Sequence, residues 1–260
     1  MNLYFLSGLA RSGSTLLGSI LNQHPDIHVT PTSPTLDLIC MMDQNFQSLK
    51  TQYTFDIPTV TRNILRATLD ASYQHTQKPI IFDKHRGWPR NLDVAQSIMD
   101  HEFKGIVTYR PVPDIITSFI KLINKDPNNF IDEHLKKDRK PVNTRNRADY
   151  LWRFYMVDPQ QSTLHGLKHH RDKLLPLSYD EIVLDTKSTL AKIENFFGLD
   201  GVATLELSDI SNTCAESKDE AWGVKNLHTI RPTIQKTSDD SRVVLGDELF
   251  EFYSTFNIIL

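Results

Sequence analysis

Residues 8–15, Gly-Leu-Ala-Arg-Ser-Gly-Ser-Thr, set two glycines five positions apart and follow them with two hydroxyl side chains. An apolar run at residues 3–6 precedes them, and a pattern with helical spacing (Leu16, Leu17, Ile20, Leu21) follows. A strand that turns sharply into a helix at such a loop is suited to anions. Gly8 and Gly13 admit backbone conformations that a side chain obstructs, so loop N–H groups converge, and the helix N-terminus adds positive potential. Ser14 stands where a nucleoside triphosphatase loop carries its lysine, which weakens a magnesium–triphosphate reading. The cation of this loop is Arg11, inside it.

A second anion grip is written into residues 108–118, Thr-Tyr-Arg-Pro-Val-Pro-Asp-Ile-Ile-Thr-Ser. Arg110 closes an apolar run, and Ser118 lies one turn into the following helix. Ligands of an open parallel sheet bind beyond the C-terminal strand ends. Arg110 is therefore expected on the same rim as the glycine loop, where a guanidinium and a hydroxyl grip a phosphate. Asp114 reads as a helix cap. The third cluster is Asp83-Lys84-His85-Arg86. His85 suits a general base near neutral pH, Lys84 suits a developing negative charge, and Asp83 orients either one or is itself the base if burial raises its pKa. Successive strand residues face opposite sides, so only one of Lys84 and His85 is expected at the reacting centre unless the strand has ended. The competing reading is a solvated charged loop.

The elements that must position these groups are legible as apolar runs at 3–6, 80–82, 105–109 and 174–177. They lack two-residue alternation, as strands buried on both faces do. Helical patterns at 14–23, 91–101, 113–125 and 186–197 follow them, with Gly198 as a C-terminal cap. Further helices are expected at 35–49, 59–75 and 144–157. The aromatics of the last (Tyr150, Trp152, Phe154, Tyr155) are read as core filling. Alternating strands and helices predict an α/β fold in three layers, α/β/α, around a central parallel sheet, with residues 1–260 as one domain.

The run from Leu6 to Leu17 resembles the 5′-phosphosulfate loop of sulfotransferases that use 3′-phosphoadenosine 5′-phosphosulfate (PAPS). The run after Arg110 resembles their 3′-phosphate motif, and Tyr179-Asp180-Glu181 with the helix after it resembles their adenine-side segment. The resemblance implies a P-loop NTPase-like sulfotransferase fold and transfer of a sulfuryl group from PAPS to an acceptor hydroxyl, releasing PAP. It assigns cofactor binding to Arg11, Ser12, Gly13, Ser14, Thr15, Leu16, Arg110 and Ser118, with Tyr179 either beside the adenine or a strand-end core ring. The basic-Lys-Gly signature common in cytosolic members is absent. The tail 222–232, with Lys225, His228 and Arg231, either folds over the nucleotide or forms a surface loop. A P-loop kinase and a non-catalytic PAP-binding module are the rival readings.

Net charge is −3, which gives no support to nucleic-acid binding. Two cysteines, Cys40 and Cys214, make no disulfide framework. With neither a signal-peptide pattern nor a run of membrane-spanning length, a cytoplasmic location is expected. Pro31–Pro34 reads as a turn capped by Ser33 or as part of an acceptor pocket. The acceptor, a small alcohol, lipid, sugar or peptide hydroxyl, and the oligomeric state are not encoded in any motif.

Overall fold

Leu3, Phe5 and Leu6 have no solvent exposure, although neighbouring residues of a strand face opposite ways. Their strand therefore lies at the centre of a covered sheet. A computed structural model of the chain describes residues 1–49, 57–208, 210, 219, 223–236 and 240–259. It contains a five-stranded sheet, with β1 (Asn2–Gly8), β2 (Ile27–Thr32), β3 (Ile80–Lys84), β4 (Gly105–Tyr109) and β5 (Leu174–Ser178) in the order β2-β3-β1-β4-β5. All neighbours run parallel. The expected α/β architecture is therefore present. The fifth strand, β2, is an edge strand built on the short apolar run that precedes Pro31. Pro31 fits there because an edge residue needs no ladder N–H.

Alternation along the strands divides the core. Leu6, Phe82, Ile106 and Leu177 pack with α1 (Ser14–Leu21), α9 (Tyr179–Leu184) and α10 (Thr186–Phe197). Leu3, Phe5, Ile81 and Val107 pack on the other side with α2 (Thr35–Ser48), α3 (Ile57–Ser72) and α4 (Leu92–Ile98). A further cluster gathers around α5 (Val112–Lys125). It takes in α6 (Phe130–Lys137), α7 (Thr144–Leu151), α11 (Ser241–Leu245) and α12 (Asp247–Ser254). Among the described residues no helix is long and apolar enough to cross a membrane. Cys40 is a free thiol, and Cys214 lies outside the described residues.

Helix α7 does not stop near Val157. It passes through a π turn at Trp152–Met156 into α8 (Val157–His169). Asp158-Pro159 reads as a stop because a proline ring clashes with the carbonyl four residues back. Here the helix continues past Pro159, with the wider turn at Trp152–Met156 just before it. Tyr150, Trp152 and Tyr155 join the core cluster, but the extra residue in the turn leaves Phe154 69% exposed. Core filling therefore holds for three of the four rings.

Gly105 faces the Phe5 ring so closely that a Cβ there would stand 2.2 Å from a ring carbon. Phe5 is itself wedged against Trp88 and Phe103. Gly105→Ala should therefore lower stability by at least about 2 kcal/mol in urea unfolding, as overpacked cores do; an unchanged midpoint would show that the Phe5 layer has room to move.

Candidate active site

The loop after β1 is bent by three consecutive constraints. Gly8 has φ 135°, and a Cβ on it would lie 2.1 Å from the Thr108 carbonyl oxygen. No other residue fits so close to β4. Arg11 and Gly13 also have positive φ, 57° and 94°, which folds the loop back over the start of α1. Ser12 locks this shape from inside. Its hydroxyl is fully buried, donates to the Leu9 carbonyl and lies 2.6 Å from Thr108 Oγ1. Ser12 therefore holds the loop and does not line the cavity, whereas Arg11, Gly13, Ser14, Thr15 and Leu16 do. The N-terminus of α1 carries no side-chain cap, so its first-turn amides are left to whatever occupies the cavity.

Arg110 follows β4 and reaches the same place. Its guanidinium donates to the Arg11 carbonyl at 3.2 Å and lies 4.0 Å over the Tyr179 ring. Tyr179 is fixed in turn by the start of α9. There the Ser178 hydroxyl accepts from the Glu181 N–H while the Glu181 carboxylate accepts from the Ser178 N–H. Arg11 points across the loop, donating from Nε to Ser118 Oγ at 3.1 Å and from its terminal nitrogen to the Leu227 carbonyl. The two grips expected from sequence are thus in direct contact. Burial and the neighbouring Arg110 push the Arg11 pKa down to about 10, and burial lowers that of Arg110.

The third cluster divides. Asp83 faces away from the cavity, fully buried, accepting from Tyr73 Oη at 2.7 Å and from Trp88 Nε1 at 2.6 Å. Burial raises its pKa, and burial together with Asp83 raises that of Tyr73. Lys84, the next strand residue, faces the opposite way and donates from Nζ to Thr15 Oγ1 at 3.1 Å. The strand then ends, so both Lys84 and His85 line the cavity. His85 Nδ1 accepts from the Gly87 N–H at 3.0 Å, and Nε2 stands 3.4 Å from the Asp37 carboxylate. These contacts assign the proton of the neutral ring to Nε2.

Arg11, Arg110, Ser118, Tyr179, Lys84 and His85 line one cavity of about 450 Å³. Its walls also carry Thr32 from the edge strand, Arg86, and Lys121 and Lys125 on α5. Residues 226–231 and 233–235 close it from the C-terminal side. Of the sequence tail, His228 and Arg231 reach the cavity. Lys225 instead faces Asp126 at 3.9 Å, and Trp222 lies outside the described residues. Seven lysines and arginines line the cavity, and no aspartate or glutamate is among its described lining residues. The site is an anion receptacle in a chain of negative net charge. Lys121 and Lys125 were not singled out from sequence, yet their three- and seven-residue spacing from Ser118 is the signal that would have found them.

A family model described as the sulfotransferase family matches residues 4–203. No curated protein gave a significant sequence match. Three solved structures share the fold. A sulfotransferase domain from the curacin biosynthetic pathway is 14% identical with a TM-score of 0.60, over 98% of this chain and 96% of that one. A mouse sulfotransferase complexed with PAP is 14% identical with a TM-score of 0.57, over 98% and 83%. A retinol dehydratase in complex with androsterone and inactive cofactor PAP is 14% identical with a TM-score of 0.51, over 98% and 80%. With the family model covering the sheet, the glycine loop and both arginine grips, the chain belongs to the sulfotransferase family.

Proposed function

We propose that this chain transfers a sulfuryl group from PAPS to an acceptor hydroxyl, the whole chain acting as one domain. The observation that carries the reading is the convergence of Arg11 and Arg110 in one cavity whose described lining residues include no aspartate or glutamate. Its volume of about 450 Å³ is in the range of ligand-sized pockets. PAPS supplies the transferable sulfuryl group on its 5′-phosphate and a further phosphate on the 3′ side of its ribose. The α1 N-terminus, Ser14 and Thr15 hold the 5′ end, Arg110 and Ser118 the 3′-phosphate, and Tyr179 the nucleoside. Arg11 lies between the two ends, bonded to Ser118.

Lys84 is placed to meet negative charge at the reacting end, because its ammonium already sits on Thr15 at the loop's exit. In position it stands in for the cation that Ser14 does not provide. His85 takes the acceptor proton. Its lone pair is on Nδ1 and is held by the Gly87 N–H at 3.0 Å, so the acceptor hydroxyl has to displace that bond to give up its proton there, while the Nε2–H points at Asp37, which steadies the positive charge the ring gains. Thr32 and Arg86, beside His85, border the place left for the acceptor. Asp83 acts as a structural anchor of β3, and the magnesium-binding carboxylate that a kinase reading needs is therefore turned away from the cavity.

PAP at about a hundredfold excess over its Kd should raise the unfolding midpoint by about 5 °C or more without added magnesium. A shift seen with ATP and magnesium but not with PAP would defeat the proposal. His85→Ala should lower turnover at least about a hundredfold while PAP still stabilises the protein. PAP binding with no transfer to any hydroxyl in the unsubstituted chain would mark a binding module instead. Asp83→Asn leaves one buried donor unmatched. It should cost about 1–3 kcal/mol in urea unfolding, and a stable Asp83→Asn variant without turnover would return Asp83 to the chemistry.

A further inference from the structure

Three lining residues of the cavity form a stripe along α5: Ser118, Lys121 and Lys125. Spacings of three and seven keep them on one face of the helix. With a rise of 1.5 Å per residue the lysines stand about 4.5 and about 10.5 Å beyond Ser118 along the axis. Exposure grows in the same direction, since Lys121 is half-buried and Lys125 exposed. Arg231 lines the cavity from the C-terminal segment. The nearest carboxylate in sequence, Asp126, is buried, accepts from the Asn128 N–H and faces Lys225. Because the molecule as a whole is negative, a cationic stripe leading outward from the inner grip is a local feature and not a background property.

We propose that Lys121 and Lys125 form an electrostatic approach path that steers the doubly phosphorylated nucleotide into the cavity, along α5 and on to Ser118 and Arg110. This rests on the reading of the cavity as a PAPS site. A polyanion approaching a surface of its own sign is repelled except where a basic stripe lowers the barrier, and such focusing raises association rates by tenfold or more. Both lysines lie within about one or two screening lengths of Ser118 at physiological salt, so the effect must fade as salt rises. The inner arginines hold the bound ligand, whereas the two lysines act on the encounter. Their removal therefore acts on the rate of arrival more than on the rate of departure.

The test is stopped-flow binding of a fluorescent PAP derivative to the full chain, across a series of salt concentrations. The Lys121→Gln/Lys125→Gln protein should associate about tenfold more slowly at low salt. Its association rate should depend less steeply on salt than that of the unsubstituted protein, and its dissociation rate should change less than about twofold. The charge-preserving pair Lys121→Arg/Lys125→Arg should restore the association rate. Unchanged association, or a loss confined to faster dissociation, overturns the proposal. Failure of the unsubstituted protein to bind the probe at any salt overturns the PAPS reading as well, and so is distinct from failure of the steering claim alone.

Discussion

Two guanidinium groups, Arg11 and Arg110, are held within reach of each other and largely out of water at the C-terminal rim of one sheet. Burial strips hydration from these charges and their like signs repel, which is why the Arg11 pKa falls to about 10. The fold maintains this arrangement with short-range devices. Gly8 lets the loop lie against Thr108, Ser12 ties the loop's interior to β4, and the Tyr179 face supports Arg110. A site built at such expense is pre-organised for a ligand with negative charge at both ends. Anion binding relieves the repulsion that the empty protein must carry.

The same rim explains the division of labour at β3. Strand alternation sends Asp83 to one side and Lys84 to the other, so a carboxylate and an ammonium adjacent in sequence serve unrelated tasks. Asp83 joins α3 and the Trp88 turn to the sheet, while Lys84 brings a cation to the end of the glycine loop. His85 belongs to neither strand face. Its ring is oriented by the Gly87 N–H on one nitrogen and by Asp37 of α2 on the other. The Lys84–His85 end of the cavity is thus assembled from β3, its exit loop and the edge strand, whereas the Arg11–Arg110 end is assembled from β1, β4 and α5.

Local patterns in the chain made the glycine loop, the placing of Arg110 and Ser118 on one rim, four strands and most flanking helices legible, because each depends on spacing within about a dozen residues. Alternation left room for one of Lys84 and His85 at the site unless the strand had ended, and β3 does end at Lys84, so both line the cavity. What stayed hidden depends on distant partners. Burial of Asp83 is set by Tyr73 and Trp88, and the approach of Lys84 to Thr15 joins residues 69 positions apart. Similarly, Arg11 meets Ser118 across 107 positions and Leu227 across 216. The continuation through Pro159 was masked by a residue that ordinarily ends a helix. The lysines of α5 were visible as a stripe, but only the closed cavity shows that the stripe faces the site.

In the proposed mode of binding, Arg110 and its neighbours hold the 3′-phosphate of the same molecule whose 5′ end lies in the glycine loop. Its most direct test is a thermodynamic cycle by calorimetry, pairing Arg110→Ala with loss of the ligand's 3′-phosphate, that is, PAP against AMP. The account predicts that the unsubstituted protein prefers PAP by about a hundredfold or more, consistent with about 3 kcal/mol for a charge-assisted grip, and that Arg110→Ala removes most of that preference. A preference for PAP that survives Arg110→Ala undiminished would contradict it.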